Sequence, residues 1–163
     1  MATIEGSFAK GSKVPMNLLL DTNVLIDYLG RKEPFFESAK MVVMAAFFGD
    51  VRAWTPAQSV VDAFYVLSRY MDSMRIQQSI LKALELISPV DLTGADLERA
   101  ARLAWPDTED CLISIAAAKA NADFLITRNA SGFERSPIPA LSPQAWVQLM
   151  RDEHGLEYGE ESL

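Results

Sequence analysis

The chain has 163 residues, a formal net charge of −7, one Cys and one His. That length suits one compact domain with short appendages, and a chain of this size buries roughly two-thirds of its unfolded surface, so it folds without disulfides or a structural metal. The lone Cys111 and lone His154 exclude a disulfide framework, multi-Cys zinc sites and paired-His metal motifs, and the acidic balance disfavours binding nucleic acid through bulk charge.

No apolar run approaches the roughly 18 residues of a membrane span, and no signal-peptide core opens the chain. The expectation is a cytoplasmic protein with no membrane partner. Residues 1–15 lack a sustained period and read as an N-terminal arm or expression remnant. Residues 16–150 form the body, and residues 151–163 read as an acidic C-terminal tail, expected to be mobile.

Within the body, Asn17-Leu18-Leu19-Leu20 is a continuous apolar run, as a strand buried on both faces requires. Asp21-Thr22-Asn23 offers helix-capping chemistry before Val24, Leu25, Tyr28 and Leu29 at helical spacing. A second helix spans Glu33 to Phe48 and stops at Gly49-Asp50. Val51 to Trp54 reads as a strand halted by Thr55-Pro56. A helix follows from Pro56 to Ser68, and another from Ser73 to Leu86. Ser88-Pro89-Val90 is a weak strand. Thr93 opens a helix to Ala104, with Asp96 in capping-box position. Asp107 or Thr108 caps the next, to about Asn121. Asp123 to Thr127 is the clearest late strand, Pro139 to Leu141 a short one, and Ser142-Pro143 starts a last helix through Met150. Strands alternating with helices imply an α/β fold: a three-layer α/β/α sandwich around a parallel sheet. Sites in such sheets form at the carboxyl ends of the strands.

That rule selects Asp21, Asp62, Asp107, Asp110 and Asn129. Asp62 lies in Val60-Val61-Asp62-Ala63-Phe64 with no basic residue near in sequence. A partly buried carboxylate needs a partner, a proton or a metal, unless the side chain simply faces solvent. Asp21 is equally a helix cap, and Asp107 and Asp110 are equally first-turn acids complementing a helix dipole. Glu109 is expected to turn away from the face of Asp110. Asp27 reads as peripheral or solvated, Asp123 as lying at the wrong end of the sheet, and Cys111 as a small buried group. No GxGxxG, GxxxxGK[ST] or GxSxG pattern is present.

Three segments carry a family resemblance. Leu18-Leu19-Leu20-Asp21-Thr22-Asn23-Val24-Leu25-Ile26 resembles the opening motif of PIN domains. Asp107-Thr108-Glu109-Asp110-Cys111-Leu112-Ile113, with Ala116-Ala117 and then Ala122-Asp123-Phe124-Leu125-Ile126-Thr127-Arg128-Asn129, resembles the family's later motifs. Phe133 to Pro143 resembles the subgroup of VapC-type toxins. The resemblance implies an endoribonuclease that hydrolyses RNA at an acidic Mg²⁺ or Mn²⁺ site, in the toxin half of a toxin–antitoxin pair. It also implies an antitoxin partner and a homodimer.

By position Asp21 matches the family's first acid and Asp110 its third. Asp62 stands where Glu is usual, and Asn129 where many members carry a fourth acid. On this reading Asp21 and Asp110 hold the principal ion and Asp62 reaches it directly or through water. Asp107 supplies the missing carboxylate. Thr22, Asn23 and Thr127 fix the carboxylate rotamers, and Arg128 meets the substrate phosphate unless it is merely a solvated surface cation. The alternative is a catalytically silent PIN-like module that binds RNA or protein, which the Asn at 129 keeps open. A phosphoacceptor domain fits less well, because no acidic pair accompanies Asp21.

Overall fold

The computed structural model of the chain describes residues 15–159. The expected arm therefore lies outside the described residues except for Pro15. Five strands, β1 (Met16–Leu20), β2 (Val51–Pro56), β3 (Ile87–Val90), β4 (Phe124–Ile126) and β5 (Ala140–Leu141), form one sheet in the order β3-β2-β1-β4-β5. Every pairing is parallel, with Leu19 opposite both Trp54 and Leu125. The helices are α1 (Thr22–Leu29), α2 (Phe36–Phe47), α3 (Ala57–Leu67), α4 (Ser73–Ala83), α5 (Gly94–Leu103), α6 (Thr108–Lys119) and α7 (Pro143–His154), with a short 3-10 turn at Ala130–Phe133.

The apolar run of β1 explains the layering. Leu18 and Leu20 point into a core with Val24 and Leu25 of α1, Val42 and Val43 of α2, and Trp146 and Met150 of α7. Leu19 points to the opposite face, where Ile113, Ala116 and Ala117 of α6 pack with Leu125 and Phe133. Small side chains on α6 let that helix lie close to the sheet. The three layers match the sandwich expected from the alternation of strands and helices.

Caps fall where polar residues precede the apolar periods. Asp72, Asp107 and Ser142 each accept from first-turn backbone N–H groups, and Thr93 with Asp96 forms a reciprocal capping box. Several boundaries differ from the sequence reading: β2 runs on to Pro56 rather than stopping at Trp54, and α4 ends at Ala83 rather than Leu86. Helix α2 begins at Phe36, after Pro34, rather than at Glu33. Helix α7 continues to His154, and the chain then turns back on Gly155, whose φ of 65° suits a residue without a side chain. Leu156 and Tyr158 are buried as a result, so part of the expected mobile tail belongs to the core. The Tyr158 hydroxyl donates to buried Asp50 at 2.9 Å, and its ring stacks on Trp146.

In this order the chain turns back across β1 after β3, so β1 and β4 flank the point where strand order reverses. Crevices for ligands open there in parallel sheets. Among the described residues no helix is long and apolar enough to cross a membrane.

Candidate active site

Asp21 leaves β1 at that reversal point, its backbone N–H still paired to the Ile126 carbonyl of β4 at 2.9 Å. Its side chain is only 5% exposed. Thr127 Oγ1 donates to Asp21 Oδ2 at 2.7 Å, the Thr22 backbone N–H to Oδ1 at 2.7 Å, and Asn23 Nδ2 to Oδ2 at 3.3 Å. Asp21 thus also caps α1. Burial pushes the Asp21 carboxyl up. The Thr127 and Thr22 hydrogen bonds and the Arg128 charge oppose that rise, and the Asp107 charge adds to it. Thr127 Oγ1 also accepts from the Asn129 backbone N–H at 3.0 Å, which ties the turn after β4 to Asp21. The hydroxyl of Thr22 is 2.7 Å from that of Ser59 rather than on the carboxylate.

Asp107 caps α6 and accepts from the Asp110 backbone N–H at 3.1 Å. Asp110 sits one turn in, half-buried, with its pKa raised to about 6 by burial and then by the charges of Asp107, Asp21 and Glu109. Glu109 is also pushed up, by burial and by Asp62, Asp21 and Asp107. The charges of Asp107, Asp21 and Glu109 thus all act on Asp110, at the start of α6 beside the end of β1. Glu109 is exposed, yet it lies within electrostatic reach of Asp62, Asp21 and Asp107.

Asp62 is half-buried on α3 and accepts from Gln58 Nε2 at 2.9 Å. Its electrostatic neighbour in the cluster is Glu109. Asn129 is exposed, and its Oδ1 accepts from Ser131 at 3.1 Å. A β-carbon placed on Gly132 would stand 2.7 Å from Asp110 Oδ2 and 2.8 Å from Asn129 Nδ2. Those two side chains therefore close around a cradle that only glycine leaves open. No sequence pattern marks Gly132, because its role depends on side chains brought in from α6 and from the turn after β4.

Asp27 corrects the sequence reading. It is 1% exposed, not peripheral, and binds Arg128 through a 2.7 Å contact of Nε with Oδ2. The guanidinium also lies over the Phe35 ring, 4.2 Å from its centroid. Arg128 is exposed at the surface, yet its guanidinium is engaged by Asp27 and Phe35. Asp123 lies at the amino edge, accepting from the Asn17 backbone N–H at 2.7 Å, and Cys111 is fully buried, both as expected.

The donors facing the crevice are oxygens, which suits a hard divalent cation. Two further features fit such an ion: burial and then neighbouring acids raise Asp110 and Glu109, and the Gly132 cradle leaves room beside Asp110 Oδ2. The arrangement is open. Among the described residues no three His, Cys, Asp or Glu side chains stand close enough to share an ion. Mg²⁺ tolerates this, since it keeps several waters and takes only one or two carboxylates.

Solved structures of similar fold include VapBC2 from Rickettsia felis bound to a promoter DNA fragment. That match has 17% identity and a TM-score of 0.59, over 78% of this chain and 98% of that one. A toxin–antitoxin complex from Klebsiella pneumoniae matches with 22% identity and a TM-score of 0.59, over 77% and 97%. FitAcB from Neisseria gonorrhoeae matches with 18% identity and a TM-score of 0.54, over 78% and 98%. These likenesses concern the fold. No significant match appears among curated protein sequences. A sequence profile described as the PIN domain matches residues 17–131, spanning Asp21, Asp62, the acidic start of α6 and Asn129, and by that match the chain belongs to the PIN domain family.

Proposed function

We propose that the protein is a divalent-metal-dependent endoribonuclease of the toxin type, working at the crevice between β1 and the start of α6. The observation that carries this reading is the Gly132 cradle closed by Asp110 and Asn129, beside an Asp110 carboxyl raised first by burial and then by the charges of Asp107, Asp21 and Glu109. Evolved folds rarely leave such repulsion uncompensated, and a bound cation is the usual compensation.

Asp21 and Asp110 would hold the ion, with Asp62, Glu109 and Asp107 reaching it through water. When bound, a divalent ion supplies positive charge against a scissile phosphate and makes water a stronger acid. The chain's own part is orientation. Thr127 and Asn23 fix the Asp21 carboxylate, and the Asp107 cap fixes the first turn of α6. Glu109 and Asp62 can accept a proton from an attacking water on the α3 side of the crevice. Toxin–antitoxin complexes among the structures of similar fold support an antitoxin partner for this chain. A homodimer remains part of the proposal.

The test is cleavage of labelled single-stranded RNA in Mg²⁺, in Mn²⁺ and in EDTA, with Asp21→Asn and Asp110→Asn prepared identically. Each variant should lose on the order of 10²–10³-fold in rate, comparable to removing one preorganised electrostatic element from an active site. Equal cleavage by wild type and both variants would sink the reading. A silent module would show no cleavage and no rise in melting temperature with Mn²⁺.

A further inference from the structure

A second feature lies at the other end of α1. A cavity of about 390 Å³ is lined by Arg31, just past the C-terminus of α1, and by Arg75, Gln78, Ser79 and Lys82 along α4. Leu29 and Met71 supply apolar wall. The lining contains three cations and no acid, in a chain whose formal net charge is −7. Among the described residues none of the three cations forms an ion pair. Arg31 is steadied over the Phe36 ring, 5.7 Å from its centroid, and its left-handed backbone (φ 49°) aims the residue away from the helix path. Beside the cavity, the neighbours in sequence of Arg31 and Met71 form a second pairing. Lys32 Nζ lies 5.0 Å from the centroid of the Tyr70 ring, and Tyr70 is 67% exposed.

A cation past the end of each helix would satisfy the dipoles of α1 and α4 without any cavity. Three unpaired cations converging with two neutral hydrogen-bonding side chains do more than that. They offer the donor set that phosphate oxygens require. An exposed aromatic ring beside a basic groove is the arrangement that holds single-stranded nucleic acid without reading its sequence.

We propose that this cavity is a phosphate-binding site, with Arg31, Arg75 and Lys82 as the binding residues and Tyr70 as a stacking platform for the adjoining base. Its ligand is the phosphate group of an RNA strand or of a free nucleotide. The RNA form rests on the nuclease reading above and deepens it. The eight residues of α1 separate Asp21 from the cavity by about 12 Å along the helix. A strand spanning that distance would then be anchored at the basic end while a linkage further along meets the acids. This division answers the problem of an acidic protein handling a polyanion: attraction is local, not global.

The experiment measures binding in EDTA, so that cleavage plays no part. A fluorescent 12-nucleotide single-stranded RNA is titrated with wild type, Arg75→Gln/Lys82→Gln and Tyr70→Ala. All three targets are exposed, and equal melting temperatures confirm folding. The double variant should bind on the order of tenfold more weakly at low salt. Its log-affinity against log-salt slope should flatten by about 1.4, at about 0.7 per lost phosphate contact to a single strand. Tyr70→Ala should weaken binding without changing that slope. Competition with adenosine monophosphate separates the sources. Displacement only at far higher concentration assigns the site to a strand. Displacement at comparable concentration, lost in the double variant, assigns it to a free nucleotide. RNA and nucleotide binding unchanged in the double variant would overturn the proposal. So would a hexaglutamate peptide that loses binding in that variant while RNA does not, since the cavity would then serve an acidic protein segment. If wild type binds RNA as expected here but never cleaves it, the nuclease reading fails and the phosphate site stands.

Discussion

Asp21 and Asp27 are both buried, one capping α1 and the other within it, yet the fold treats them in opposite ways. Asp27 has a cation: Arg128 reaches across from the turn after β4, and Phe35 covers the guanidinium. Asp21 has neutral donors from Thr127, Thr22 and Asn23, and its charged surroundings include other acids. Burial raises both carboxyls. The difference is what offsets the charge: an ion pair at Asp27 is complete within the chain, whereas the cluster at Asp21 keeps a net negative charge. Arg128 lowers both carboxyls, but it forms an ion pair only with Asp27 and leaves Asp21 among acids with neutral donors alone on its oxygens.

Asn substitutions break this comparison most directly. Asp27→Asn removes one partner of a buried pair and leaves Arg128 half-covered over Phe35. The expected loss is about 3 kcal/mol, or on the order of 6–12 °C in melting temperature for a domain of this size. Asp21→Asn relieves repulsion within the acidic cluster and keeps a hydrogen-bonding side chain. In EDTA it should leave the melting temperature unchanged or raise it slightly, while abolishing the gain on adding Mn²⁺. A drop for Asp21→Asn as large as that for Asp27→Asn would show both acids to be structural.

Gly132→Ala tests the cluster from outside its charges. The added methyl would stand 2.7 Å from Asp110 Oδ2 and 2.8 Å from Asn129 Nδ2, so one of them must move. Cleavage should fall about tenfold, in the range seen when groups that orient metal ligands are disturbed. Stability should change little, because the position is only half-buried and Gly132 does not require a positive φ. An unaltered rate would mean that Asp110 and Asn129 need not hold their present positions.

Titration sharpens the contrast further. A carboxyl raised in the folded state binds its proton more tightly there than in the unfolded chain, so stability falls as pH rises between the two values. For Asp110 that window runs from the ordinary value of 3.8 to about 6, and Asp21, Asp27 and Glu109 shift in the same direction. Asp96 is lowered instead, by Lys119 and the Thr93 N–H, so its contribution is present above the ordinary range and lost only as pH falls below it. In EDTA the protein should therefore melt higher at pH 5 than at pH 7, and Asp110→Asn should flatten the upper part of that trend. The stabilisation given by Mn²⁺ should run the other way, growing as pH rises through about 6, because binding displaces the proton. Identical pH profiles for wild type and Asp110→Asn would remove the coupling of Asp110 to its acidic neighbours.

What could be read from the sequence follows the range of the interactions involved. The strands, the caps at Thr93 and Asp107 and the strand-end position of Asp21 are local, so apolar runs and polar punctuation reveal them. The burial of Asp27 depends on Arg128, 101 positions later, and that of Tyr158 on Asp50, 108 positions earlier, so neither has a local signature. The electrostatic reach of Glu109 to Asp62, Asp21 and Asp107 also spans separate elements, which helical spacing does not register. The strand-end rule places Asp21 at the end of β1 and the acids of α6 at a helix start, but says nothing of how close they come. Their separations, wider than ligand sharing, lay beyond any spacing argument.

The smallest expected effect concerns Asn129, where many family members carry an acid. Asn129→Asp adds a negative charge beside Asp110 without changing side-chain size, and Ser131 Oγ, now 3.1 Å from Oδ1, can still donate to the new carboxylate. Two consequences oppose each other. The added charge should raise Asp110 further and make the metal-free protein slightly less stable above pH 6. The same charge should tighten Mn²⁺ binding by about threefold to tenfold, a modest gain because the side chain is exposed and solvent-screened. Isothermal titration with Mn²⁺ and melting in EDTA measure the two separately. If affinity rises while metal-free stability falls, Asn129 marks the point where the chain gives up metal affinity for a less strained acidic cluster. If neither moves, the carboxylates of β1 and α6 do not reach the turn after β4, and the site ends at Asp110.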